Sequence, residues 1–189
     1  MLTCYKGDGA MEHILDEIRA TYDRGIWYPT LSSILMMPDA CGAIEFWGTT
    51  KTSRIRYPEW YDRWVYPHFS ASNVTFDGSV VYIVRNAMIH EYSGFTRGKH
   101  GFDRILFMPP NDQNGRGNFN LFQNTTSSGE TVFQVSILEL LEAIDNGVRH
   151  WLADVRADPD KRREYALNKL VQLRPNGHAP YIIGTPIIS

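Results

Sequence analysis

The chain has only two cysteines, Cys4 and Cys41, which lie far apart and outside any Cys-x-x-Cys pair. A disulfide framework and a zinc knuckle are thereby unsupported, and a reducing, cytoplasmic setting is the expectation. No uncharged apolar run reaches the roughly 18 residues of a membrane-spanning helix. The first ten residues lack the apolar stretch of a secretory signal, so no membrane partner is expected. An excess of basic charge is missing too. Nineteen Lys and Arg stand against 21 Asp and Glu, for a net charge of −2 and a pI near 6.3. No global positive field draws nucleic acid to the chain, and any affinity for RNA must come from a local patch. Gly-rich phosphate-cradling patterns and internal repeats are also lacking.

What is present suits one globular domain. The 189 residues are 43% hydrophobic and 21% charged, enough to bury a core without staples. Aromatic residues make up 13%, including five tryptophans. Burial is their commoner role, although an exposed ring can stack a base.

Apolar residues at three- and four-residue spacing predict an amphipathic helix over 10–24, through Met11, Ile14, Leu15, Ile18 and Tyr22, ended by Gly25. Residues 29–37 read as a buried helix. Pro38 is expected to break or kink it, with Asp39 capping a short helix over 39–47. Residues 48–56 read as a polar loop. An aromatic helix is expected over 57–69, with Pro58 in its first turn. Asp77 is the expected N-cap of a helix over 78–92. Beyond it come a basic, Gly-spaced loop over 93–101 and a strand over 105–108. An exposed loop (109–118) follows, then a hairpin of 119–123 with 131–135 around a Ser-Ser-Gly turn. A long helix follows over 136–155 and a basic helix from 158 to about 173. The Pro-containing tail, 174–189, is a docked extension or a disordered end.

Residues 78–92 carry the chemistry. On a helix, Val80, Ile83, Val84, Ala87 and Met88 share the core side, while Arg85, Asn86 and His90 fall within about 140° on the opposite side. Asn86 and His90 stand one turn apart, close enough to touch. A guanidinium grips a phosphate through two parallel hydrogen bonds. An imidazole moves a proton near neutral pH. In RNA the ribose 2′-hydroxyl is the nucleophile, so Arg85 on the phosphate and His90 on the proton suffice, without metal or cofactor. Asn86 is expected to orient His90 or to bond a phosphate oxygen. Tyr82 shares the arc as a candidate substrate contact. Arg97, Lys99 and His100, in the loop beyond, are candidates for a phosphate patch. The plainer alternative is a surface arginine, a packed or capping histidine and a solvated loop.

Arg85, Asn86 and, after three residues, His90 resemble the ribonuclease motif of HEPN domains. The resemblance implies a helical bundle that dimerises so that two motifs share one cleft, and a metal-independent endoribonuclease of the kind found among toxins and antiviral effectors. It implies a homodimer, RNA as substrate and an antitoxin or defence partner. The expected fold is therefore a mainly α-helical, HEPN-like domain over 1–173, with a β insertion at about 102–135 between the motif helix and the long helix.

A broader likeness covers most of the first half. The segments are Met37-Pro38-Asp39-Ala40-Cys41-Gly42, then Tyr57-Pro58-Glu59-Trp60-Tyr61-Asp62-Arg63-Trp64, then Val81-Tyr82-Ile83-Val84-Arg85-Asn86-Ala87-Met88-Ile89-His90-Glu91. They are similar to a bacterial family whose pattern reads IPDICG, then Trp, Phe or Tyr, Asp, then YALR, Cys or Asn, two residues and LHEGS. That likeness implies fold and motif placement and carries no assigned activity. This chain has Glu91-Tyr92-Ser93 where that family has Glu-Gly-Ser, which predicts a different turn after His90.

Other clusters read as ordinary surface or core. His13, Asp16 and Glu17 have helical ligand spacing but match a wet helix face. Cys41 reads as a small core residue. Lys161, Arg162, Arg163 and Lys169 give the last helix a basic side, which suits RNA or plain solvent.

Overall fold

A computed structural model describes residues 9–69, 76–91, 93–94, 101–110 and 122–170, with short stretches at 173–174, 177–178, 180, 182–184 and 187–188. The chain is mainly helical, with a small three-stranded sheet. Its helices are α1 (Ala10–Asp23), α2 (Trp27–Glu45), α3 (Ser53–Trp64), α4 (Gly78–Asn86), α5 (Ile137–Ala157) and α6 (Arg162–Leu167). Short turns extend two of them: a 3₁₀ turn at Tyr66–His68 and a π turn at Ala87–Glu91. Among the described residues, no helix is long and apolar enough to cross a membrane.

Local chemistry explains where several elements begin. α1 buries Met11, Leu15, Ile18 and Tyr22, and Gly25 follows its end with φ +71°, a backbone that glycine adopts without strain. Asp77 caps α4, its carboxylate accepting from Val80 N at 3.0 Å, as expected. Ser136 caps α5 by accepting from Glu139 N at 3.3 Å, and α5 then buries one continuous apolar stripe from Ile137 to Val155.

Three expectations fail for tertiary reasons. α2 does not break at Pro38 but runs on to Glu45. Both halves are held by burial, with Ile34, Leu35, Met37 and Cys41 in the core. Together that burial outweighs the roughly 3 kcal/mol that an interior proline costs. Asp39 therefore lies inside a helix and caps nothing. α3 starts at Ser53 and ends at Trp64, so Pro58 sits beyond its first turn. Tyr57, Trp60 and Tyr61 draw its aromatic face into the core. α6 covers only Arg162–Leu167, much less than the stretch expected to be helical.

The core is one continuous cluster running from Met11 to Ala166. Trp60 and Trp151 meet edge to face at its centre, ring centroids 5.9 Å apart. Trp151 donates its indole N–H to Glu45 Oε2 at 2.8 Å. Arg163 binds that oxygen too, together with Asp154 and Asp158, and these carboxylates hold its guanidinium firmly protonated although burial opposes the charge.

The β insertion lies between α4 and α5, as expected. β2 (Phe122–Thr125) and β3 (Thr131–Ser136) form the antiparallel hairpin. β1 (Arg104–Met108) joins the other edge of β3 in parallel, Ile105 opposite Phe133, so β3 is the central strand. Phe133 and Val135 point into the core, where Phe133 packs on Phe76 and Phe102. In the tail, β4 (Leu173–Arg174) pairs with β7 (Ile187–Ile188) and β5 (Gly177–His178) with β6 (Ile182–Ile183), a nested pair of ladders.

Close approach of α5 to the end of α3 depends on Gly147. A Cβ there would lie 2.5 Å from Trp64 O and 2.9 Å from Val65 Cγ2. Alanine is ordinarily the better helix former by about 1 kcal/mol. Here Gly147→Ala is expected instead to destabilise by about 1–3 kcal/mol through overpacking, read as a lower midpoint in urea unfolding.

Candidate functional site

The motif residues sit where α4 gives way to the π turn. α4 buries Val80, Val81 and Val84 and turns Arg85 and Asn86 half out of the core. Ala87 and Met88 remain buried. The chain must then turn off the helix toward the sheet. Ser93 N bonds back to Ala87 O at 3.1 Å, and Ile105 N bonds to Gly94 O at 2.8 Å, which fastens the exit to β1. A side chain at Gly94 would press on Ile105 O at 2.6 Å, so only glycine fits that junction.

The wider turn changes which residues are neighbours. The sequence predicts continuous α-helix to residue 92, with Asn86 beside His90. A π turn pairs residues five apart, and the side chain that meets His90 is Arg85. Its Nη1 lies 3.3 Å from His90 Nε2 and 2.9 Å from Asn86 Oδ1. Because arginine only donates, that approach is a hydrogen bond when His90 carries its proton on Nδ1 and offers a lone pair at Nε2. Asn86 thus steadies Arg85 rather than His90.

The opposite edge of the guanidinium is held by a residue the motif does not contain. Arg85 Nη2 lies 2.7 Å from Asp39 Oδ2, and Ser53 donates its hydroxyl to Asp39 Oδ1 at 2.6 Å. The Arg85 and Asp39 side chains are 18% and 22% exposed, so the pair is partly desolvated and stronger than a surface ion pair. One carboxylate thereby ties α2, the start of α3 and the end of α4 together. Tyr57 lies near this pair, fully buried, and donates to Leu35 O at 3.0 Å. Burial, with Asp39 adding to it and Arg85 opposing, pushes its hydroxyl pKa well up.

The guanidinium therefore has two unlike edges. The Asp39 edge is locked by charge. The Nη1 edge holds the neutral amide oxygen of Asn86 and meets the exposed imidazole of His90. An incoming anionic oxygen displaces a neutral contact more cheaply than an ionic one.

The other predicted residues divide. Tyr82 is half-buried with its ring against Tyr57, centroids 5.4 Å apart, so part of its face already packs on the protein. Arg97, Lys99 and His100 lie outside the described residues. His13 pairs with Glu17 at 3.1 Å, while Asp16 reaches toward Arg149 at 3.9 Å. Among the described residues, no group of three or more His, Cys, Asp or Glu side chains is set to hold a metal. Cys41 is fully buried, and burial pushes its thiol well up, away from nucleophile chemistry. The basic side of α6 is largely neutralised, Lys161 by Glu164 and Arg162 by Asp160, beside the network around Arg163.

Asp39 and Ser53 are the site residues that motif reading missed. One signal was available: an aspartate in the middle of an otherwise apolar helix needs a cationic or donor partner.

Compared with protein-family models, curated proteins and solved structures, the chain matches none.

Asp39→Asn is expected to cost about 1–3 kcal/mol, since it leaves a half-buried guanidinium without its counter-charge. A double-mutant cycle with Arg85→Gln, followed by urea unfolding, is expected to return a coupling of about 1–2 kcal/mol. Additive single effects would remove the pair from the account.

Proposed function

We propose that the chain is a metal-independent endoribonuclease of HEPN type. The observation that carries the reading is the 3.3 Å approach of Arg85 Nη1 to His90 Nε2 at an exposed turn, with Asp39 holding the far edge of the guanidinium. A cation and a proton carrier thus share one place.

In the proposed reaction, an RNA phosphate takes the Nη1 edge in place of His90. The freed imidazole accepts the proton of the ribose 2′-hydroxyl through Nε2. The 2′-oxygen attacks phosphorus, the bond to the 5′-oxygen breaks, and that oxygen takes up a proton. The products are a 2′,3′-cyclic phosphate and a 5′-hydroxyl. Arg85 stabilises the charge that grows on the phosphate oxygens. One imidazole supplies one proton transfer, whereas the reaction needs a base and an acid. His90 of a second copy meets the second need, which is why the reading includes a homodimer. Arg97, Lys99 and His100 are proposed as contacts to the flanking phosphates, and Tyr82 as an edge contact to a base.

A second reading has its own support. Arg85 already has a carboxylate partner, so the same face serves equally as a structural lock in a HEPN-like module that binds nucleic acid or another protein without cutting.

Incubation of the chain with total RNA in EDTA separates the two. The nuclease reading expects cleavage that falls about 100-fold or more in His90→Ala, and similarly in Arg85→Ala. His90 is exposed, so its variant is expected to keep the wild-type circular dichroism spectrum and unfolding midpoint. Absence of cleavage by the wild-type chain, with both variants less dimeric by light scattering, supports the module instead.

A further inference from the structure

We propose that His68 and His150 form a two-imidazole site for a divalent transition-metal ion of the zinc, nickel or copper class. His68 ends the 3₁₀ turn after α3, and His150 lies on α5. His68 Nε2 and His150 Nδ1 are 3.3 Å apart, with ring centroids at 5.0 Å and planes inclined by 38°.

The 3.3 Å nitrogen separation suits a shared ion as well as a direct hydrogen bond between the rings. A tetrahedral ion with metal–nitrogen bonds of about 2.0–2.1 Å spaces two ring nitrogens by about 3.3 Å and the centroids by about 5.2 Å. A straight N–H···N bond of the same length sets the centroids about 5.6 Å apart. The 5.0 Å centroid separation lies nearer to the shared-ion arrangement than to the straight hydrogen bond.

The surroundings suit a hydrated cation. Next to His68 lies a polar cavity of about 310 Å³ whose lining includes Ser136, Glu139, Glu142 and Asn146. On α5, Asn146 stands one turn from His150 and lines this cavity together with His68. Glu142 lies about 12 Å along the helix axis from His150. It and Glu139 contribute a negative field rather than a ligand. Arg149, the nearest cation on α5, is held by Asp145 at 2.8 Å and faces Asp16. Burial, then the neighbouring His150, lowers the His68 pKa, which favours the neutral imidazole that a metal takes as ligand. Two imidazoles with water in the other positions suit nickel, copper and zinc and leave calcium and magnesium unbound. The ion would staple the end of α3 to α5, close to the Gly147 contact, independently of the ribonuclease reading.

The test is calorimetric titration of the untagged full chain with nickel chloride at pH 7.5. One ion per chain is expected to bind with micromolar affinity and to raise the thermal midpoint. His68→Gln and His150→Gln are each expected to weaken binding roughly tenfold or more, while His13→Gln leaves it unchanged. Copper(II) electron paramagnetic resonance of the wild-type chain is expected to report two coordinated nitrogens, a readout that does not depend on how the variants fold. The proposal is overturned by an absence of saturable binding, by binding undiminished in either His68→Gln or His150→Gln, or by a copper spectrum with one nitrogen.

Discussion

Everything at the candidate site turns on the charge of Asp39. A carboxylate in the middle of α2, beside core residues such as Met37 and Cys41, cannot be left without partners. Ser53 and Arg85 supply them, and in doing so they fix where α3 begins relative to α2 and how α4 lies across both. The ion pair is therefore a constraint on helix placement before it is anything else. Its consequence for chemistry is indirect. With one edge of the guanidinium locked, the other edge is held at a defined height above the π turn, where His90 meets it.

The π turn is the second constraint, and it follows from the need to leave the bundle. The sheet must attach behind α4, and Gly94 is pinned against β1 immediately after the turn. Widening the last turn satisfies that exit and moves His90 onto the side of Arg85. Such insertions are frequent at functional positions because they re-aim a side chain without a new element. The spacing of arginine and histidine in the motif is thus given meaning by a backbone feature that spacing alone does not specify.

What could be read from the sequence was local. Asp77 and Ser136 are legible as caps because the groups they satisfy lie within three residues. The hairpin around Ser127-Ser128-Gly129 is legible from turn chemistry, and the stripe on α5 from its period. The errors came from long-range competition. Pro38 looks like a breaker until the burial around α2 is known. Asp39 looks like a cap until Arg85, far along the chain, is brought beside it. Parallel pairing of β1 with β3 is invisible because nothing in either strand encodes the partner's direction. A continuous α-helical angle places Asn86 beside His90, whereas the wider π turn brings Arg85 there.

Under the proposed function, Arg85 and His90 share one surface that a ribose phosphate reaches, and the Nη1 edge exchanges its present contact for an anionic one. Nitrogen-15 NMR of the His90 ring and the Arg85 guanidinium, recorded before and after adding a dinucleoside monophosphate, measures that exchange directly. The expected result is a proton on Nδ1 and a bare Nε2 in the free chain, with both residues shifting together on titration and Arg85→Gln abolishing the His90 shift. A His90 ring that carries its proton on Nε2, or Arg85 and His90 signals that stay fixed while the nucleotide is added in excess, would rule out the shared surface.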